Sequence, residues 1–203
     1  MKKNKISKNW INRQRRDIYV RKSKVEGYRS RAVYKLEEIN QKFKIFHNGV
    51  SVLDLGAAPG SWTQYILKNY KNIKLASIDL KKFDEVENTF QITGDFTEDI
   101  YKQKILSFFQ GKIDIIVSDM AVNTTGNKNL DSIQTSELCL DAMRFSKEVL
   151  KKNGIFVSKI FVGSTFNEII DESKKIFKKN KVFKPSASRK ESKESFIVCS
   201  MLR

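Results

Sequence analysis

Val52-Leu53-Asp54-Leu55-Gly56-Ala57-Ala58-Pro59-Gly60-Ser61-Trp62 decides the fold of this chain. An apolar run gives way to small residues and then to a helix-compatible stretch reaching residue 68, so the segment reads as strand, tight turn and helix. Small residues at such a turn let backbone amides approach a ligand closely. The spacing is not the G-x-G-x-x-G of dinucleotide enzymes, and Pro59 removes an amide from the phosphate cradle that those enzymes use. Outward from this block, the apolar runs at 75–80, 113–118 and 154–162 are predicted strands, the last following an Asn153-Gly154 stop signal. Leu138, Ala142, Phe145 and Val149 recur at helical spacing and mark a long crossover helix. Upstream, Ser30 is the expected cap of an amphipathic helix with Val33, Leu36 and Ile39 along one face and Lys35 off it. Residues 181–184 and 195–202 are expected to form a hairpin edge. Strands alternating with helices imply an α/β fold, a mostly parallel sheet covered on both faces.

The chain has 203 residues, 40% of them hydrophobic, which suits one α/β domain with a real core. We expect a basic N-terminal arm over 1–24, disordered over roughly its first ten residues, and a single domain over 25–203. No run approaches the ~18 apolar residues of a membrane span, and no apolar block follows the N-terminal lysines. Cys139 and Cys199 sit in apolar stretches without metal-ligand spacing, so they read as reduced core residues, and no metal site is expected. A soluble, intracellular monomer is the expectation. The net charge is +16, and its placement matters more than its size. Residues 1–24 carry ten Lys/Arg against one acid, and residues 174–193 carry nine against one, leaving the rest of the chain close to neutral. Charge gathered at two ends of a neutral domain favours a polyanion-binding surface, because each phosphate neutralised releases condensed counterions.

Several polar residues interrupt the apolar pattern where ligands bind in doubly wound folds. Asp79 ends the second strand about twenty residues beyond the turn, where such folds place a carboxylate against ribose hydroxyls. A cofactor with a ribose but no pyrophosphate fits both this residue and the turn. Asp95, in Gly94-Asp95-Phe96, suits either an adenine amino group or a cap for the helix beginning near Thr97. Ser118-Asp119-Met120-Ala121 stands at the carboxyl edge of the third strand. The Asn/Asp-Pro-Pro-aromatic motif of base-amino methylation is absent there, and neither cysteine is placed as a cytosine-C5 nucleophile. Lys159 is the odd residue of an apolar strand, costly to bury unless paired or functional. His47, the only histidine, reads as a turn residue.

Taken together, these residues resemble the RrmJ/FtsJ-type ribose 2′-O-methyltransferases. The resemblance runs from about Ser7 to Arg203 and rests on Gly27-Tyr28-Arg29-Ser30-Arg31-Ala32 with Lys35, the 54–62 block, Ser118-Asp119-Met120-Ala121, Ser158-Lys159, and Ser188-Arg189 leading to Glu194. It implies a Rossmann-like fold that uses S-adenosylmethionine. It also implies catalytic roles for Lys35, Asp119, Lys159 and Glu194, and cofactor contacts from Gly56, Gly60, Trp62, Asp79, Asp95 and Asp119. One departure is Val122, where bacterial members usually carry proline after Met-Ala.

The chemistry fits these residue types. A ribose hydroxyl is a poor nucleophile at neutral pH without a base. Lys159 is the candidate base: burial and a neighbouring Lys35 favour its neutral amine, and Asp119 and Glu194 oppose that and orient it. Lys35 is alternatively a stabiliser of the developing alkoxide. The expected substrate is a uridine of large-subunit ribosomal RNA, met in the cytoplasm or in an organelle such as the mitochondrion. Gly56 before Ala-Ala-Pro-Gly and Met-Ala-x-Asn at 120–123 favour it over the tRNA anticodon-loop branch, which shares the Lys-Asp-Lys-Glu set and carries cysteine at the former position. A silent ribosome-assembly factor would have no need of all four catalytic positions, and a small-molecule methyltransferase leaves two basic termini unexplained.

Overall fold

The computed structural model describes residues 16–122 and 127–203; the arm over residues 1–15 and Asn123 lie outside them. Six helices and seven strands follow in the order α1 (Ile18–Val25), α2 (Val33–Phe43), β1 (Ser51–Leu55), α3 (Ser61–Asn69), β2 (Lys74–Asp79), β3 (Phe90–Thr93), α4 (Asp99–Phe109), β4 (Ile113–Ser118), α5 (Lys128–Val149), β5 (Leu150–Phe161), α6 (Phe166–Ile176), β6 (Phe177–Phe183) and β7 (Glu194–Leu202). All seven strands join one sheet in the order β3-β2-β1-β4-β5-β7-β6. The first five are parallel, and β7 lies antiparallel between β5 and β6. This is the mostly parallel α/β architecture with an antiparallel C-terminal edge that the alternating pattern predicts.

Because side chains alternate across a strand, each strand feeds two cores. Leu53, Leu55, Ile116, Phe156, Ile160 and Ile197 face α4, α5 and α6. Val52, Ile115, Val117, Val157, Phe196 and Val198 face α2 and α3, which contribute Val33, Leu36, Ile39, Trp62 and Ile66. Near-continuous apolar runs such as 113–118 are therefore apolar because both faces are covered. Cys139 and Cys199 are buried free thiols, as expected from their surroundings.

Four local readings change. Ser30 does not cap α2, whose N-cap position is Ala32; the Ser30 hydroxyl instead accepts from the Ala32 amide at 3.2 Å and shares a 2.5 Å hydrogen bond with Ser61. Asn153-Gly154 is not a stop but an irregularity inside β5, where the partner of Ile113 is Leu150 and the partner of Ile115 is already Ile155. A Cβ at Gly154 would lie 2.9 Å from the Lys151 carbonyl, so the glycine permits the bulge. The hairpin strand begins at Phe177 rather than 181, because Phe177 stacks on Phe156 at 6.0 Å and pairs with Leu202. Helix α6 was not expected, although Phe166, Ile169, Ile170 and Ile176 recur at helical spacing; it buries Ile169, Ser173 and Ile176. Asp17 accepts from the Tyr19 and Val20 amides and starts α1, which places residues 18–24 of the basic N-terminal segment in a helix.

Phe156 is fully buried in the larger core, so Phe156→Ala is expected to cost about 3–5 kcal/mol in urea unfolding, with Phe156→Leu much milder.

Candidate active site

The carboxyl ends of β2, β1, β4 and β5 lie side by side and set out Asp79, Asp54, Asp119 and Lys159 along one edge of the sheet. Period-two alternation then does the rest. On β5, Lys159 shares a face with Val157; on β7, Glu194 shares that face with Phe196 and Val198, and the register sets Lys159 opposite Phe196. Helix α2 covers the same face and brings Lys35, one position from buried Leu36. The four side chains meet there. Lys159 Nζ donates to the Asp119 carbonyl at 2.6 Å and lies 3.1 Å from Asp119 Oδ1. Lys35 Nζ bridges the two acids, 2.9 Å from Glu194 Oε2 and 3.4 Å from both Asp119 oxygens. Ser188 Oγ donates to the other Glu194 oxygen at 2.7 Å.

Burial is severe here; Lys159 is only 7% exposed. Burial pushes the Asp119 carboxyl up, but the ammonium groups of Lys159 and Lys35 outweigh it and hold Asp119 below its ordinary range. For Lys35, burial pulls downward and the carboxylates of Asp119 and Glu194 prevail, so the net shift is upward and the amine stays charged. Burial, opposed by the Thr63 hydroxyl and aided by Asp119 and Asp79, pushes the Asp54 carboxyl up to about 7.

Two cavities reach this cluster. One, of about 510 Å³, opens over the β1–α3 turn and is lined by Gly56, Asp79, Asp95 and Asp119, with Met120 and Val122 after β4 and Gln134 and Leu138 from α5. The other, of about 290 Å³, is lined by Ser30, Arg31, Lys35, Arg189 and Glu194. Asp79 accepts from the Ala58 amide at 2.9 Å and the Lys81 amide at 2.8 Å. Asp95 accepts from the Thr97 amide and hydroxyl, in a turn before α4 rather than at its cap. Gly60 and Trp62 lie off the lining of the larger cavity. A Cβ at Gly60 would meet Arg29 Nη1 at 2.7 Å, and the Trp62 indole donates to the Ala32 carbonyl at 2.8 Å against Phe196. His47 is exposed beside the Asn48 turn.

Gly56, expected from the sequence, lines the larger cavity, and a Cβ there would meet Met120 Cγ at 2.5 Å. Two contributors were not read from the sequence. Gln134 enters from a helix face judged only by its apolar spacing. Arg29 clamps two loops by donating to the carbonyls of Pro59, Asp84 and Glu85. Only backbone geometry could reveal that last role.

A profile of the FtsJ-like methyltransferases matches residues 28–201. The chain belongs to that family. A Pelagibacter ubique protein named ribosomal RNA large subunit methyltransferase E is 64% identical over the full length of both chains. A Rickettsia akari protein of the same name is 46% identical over 95% of this chain and 87% of its own. The crystal structure of a Plasmodium falciparum protein described as a ribosomal RNA methyltransferase superposes with a TM-score of 0.76 at 34% identity, covering 86% of this chain and 98% of that one. The FtsJ-like chain described here is thus a methyltransferase, with the charged cluster standing between the two cavities that Asp119 and Lys35 line.

Asp54 gives a pH prediction. A carboxyl raised from 3.8 to about 7 contributes stability that is complete below the ordinary value and is lost as pH rises through 7. Relative to Asp54→Asn, the wild type should lose stability between about pH 4 and pH 7, by at most about 4 kcal/mol at ~1.36 per unit, in urea unfolding at stepped pH.

Proposed function

We propose that this FtsJ-like methyltransferase uses S-adenosylmethionine to methylate a ribose 2′-hydroxyl, a uridine of large-subunit ribosomal RNA being the substrate. The single observation that carries the reading is the Lys35–Asp119–Lys159–Glu194 cluster bridging two cavities, one suited to a donor and one to an acceptor. The names of the relatives support ribosomal RNA over tRNA, and the two basic segments suit a polyanionic substrate of either kind.

The larger cavity fits the donor. Its volume lies within the range of small-molecule sites. Ile78, Leu80, Phe96 and Leu138 give apolar walls for a base, and each Asp79 oxygen keeps lone pairs for ribose hydroxyls after accepting one amide. Bound there, the donor would supply an electrophilic methyl on a sulfonium. Lys159 has two of its three nitrogen positions committed to Asp119, which leaves the third for the acceptor hydroxyl. After giving a proton up to solvent, the neutral Lys159 amine would take the hydroxyl proton at Nζ and free the oxygen to accept the methyl group. Lys35, held charged by two carboxylates, stabilises the developing alkoxide, and Glu194 positions Lys35. Asp119 orients both lysines. Gly60 and Trp62 support the donor through the shape of the turn rather than by lining the cavity.

Mapping 2′-O-methyl groups in ribosomal RNA and tRNA from cells lacking the protein tests the substrate, and a lost methyl in tRNA alone would overturn ribosomal RNA. Asp79→Ala is expected to weaken S-adenosylhomocysteine binding by about 1–3 kcal/mol in calorimetry. Lys159→Ala should slow methyl transfer by ~10²–10⁴ with that binding nearly unchanged. Lys159→Arg should not restore the rate, because a guanidinium stays protonated; a substantially active arginine variant would make Lys159 a charge stabiliser instead of the base.

A further inference from the structure

Arg29 lines neither cavity, yet its guanidinium holds the backbone on which the larger one is built. Nη1 donates to the Pro59 carbonyl at 3.0 Å and to the Asp84 carbonyl at 2.6 Å, and Nη2 donates to the Glu85 carbonyl at 2.7 Å. We propose that Arg29 is a positioning residue for the methyl donor, fixing the two loops that wall the donor cavity, rather than a contact for RNA. The inference rests on the reading of the chain as an RNA methyltransferase that uses S-adenosylmethionine.

The two loops are the β1–α3 turn, residues 56–60, and the β2–β3 loop, residues 80–89. They contribute Gly56, Ala58, Leu80 and Lys81 to the cavity. Asp79 ties them together on the inside by accepting from the Ala58 and Lys81 amides, and Arg29 ties them a second time on the outside through Pro59, Asp84 and Glu85. Residues 82–86 belong to no helix or strand, so their carbonyls lack a ladder to join. Three in succession are instead satisfied by side chains: Phe83 by Gln91 Nε2 at 2.9 Å, and Asp84 and Glu85 by Arg29. Gly60 leaves the room that this needs. Its φ is +98°, and a Cβ there would lie 2.7 Å from Arg29 Nη1, 3.1 Å from Val86 and 3.2 Å from Phe83. The arginine is itself held, because its amide donates to Gln64 Oε1 at 3.0 Å. Its place beside Arg31 in a basic stretch invites a phosphate role, but three of the five N–H groups of its guanidinium are aimed at protein carbonyls. A rigid planar fork spans two loops in a way that the point charge of an ammonium does not.

The test combines calorimetry with S-adenosylhomocysteine, methyl-transfer kinetics on large-subunit ribosomal RNA from cells lacking the protein, and RNA affinity at several salt concentrations. Arg29→Gln should raise the Kd for S-adenosylhomocysteine and the KM for the donor about tenfold, because hydrogen bonds from a charged group to the cavity's loops are lost. The value of kcat at saturating donor should change far less. RNA affinity and the slope of its logarithm against log salt should match the wild type, since no phosphate contact is removed. Without any ligand, the amides of residues 80–86 should exchange hydrogen faster in the variant, with those of β4 and β5 unchanged. Arg29→Lys keeps the charge and loses the fork, so it should show most of the same donor defect, and it decides the matter if Arg29→Gln does not fold. Lys82→Gln removes a cation from the same loop and should leave donor binding as in the wild type. Unchanged affinity for S-adenosylhomocysteine in the folded variants, or full recovery by lysine, would overturn the assignment. A flattened salt slope with normal donor binding would make Arg29 a phosphate contact instead. A wild type that neither binds S-adenosylhomocysteine nor methylates the RNA would overturn the reading on which the inference rests.

Discussion

The centre of this structure depends on a buried balance of charge. Lys35 and Lys159 bring two positive charges and Asp119 and Glu194 two negative ones, all held by contacts of 2.6–3.4 Å. Neither lysine would be tolerable there alone, because desolvation of an isolated ammonium costs several kcal/mol even after relaxation. The carboxylates make the burial of the lysines possible, and the two lysines hold Asp119 below its ordinary range. On the proposed function, such fixed charges would need no reorganisation when charge develops on a substrate oxygen.

Sheet topology is what brings the four together. Asp119 follows a central parallel strand, Lys159 belongs to the last parallel strand, and Glu194 opens a strand that runs the other way. Reversal of β7 brings its first residue to the carboxyl end of β5, where a parallel strand would have ended. The two cavities approach that edge from different elements: α5 helps to wall the larger one and α2 the smaller. On the proposed function, a donor and an acceptor held on these two sides would face each other across Asp119 and need not share one opening.

Charge outside the site is organised too. The basic stretches at the two ends of the sequence lie far apart along the chain, yet Asp17 at the start of α1 contacts both Arg31 and Arg189. A single carboxylate joins the N-terminal helix to the loop before β7 and holds cations beside the acceptor cavity. Excess charge that reads as a general attraction to polyanions thereby acquires a position relative to Lys35 and Glu194.

Much of this was legible in the sequence. The 52–62 block, the apolar runs and the period of residues 138–149 determined a mostly parallel α/β sheet, because burial on two faces requires runs and burial on one requires a helical stripe. Lys159 stood out for the same reason, as a charge in a strand that must be dry. Other features had no local signal. Gly154 reads as a stop and is a bulge, since only the neighbouring β4 shows that pairing resumes beyond it. Ser30 has the chemistry of a cap and bonds Ser61, because the backbone of α2 begins later than its side-chain pattern suggests. Composition, spacing and alternation therefore determined the layers of this protein and its candidate charged residues. Which charges meet, which cavity each one faces and which arginines are fixed were decided only by tertiary structure, for contacts between residues 35 and 194, or 17 and 189, depend on strand order and register.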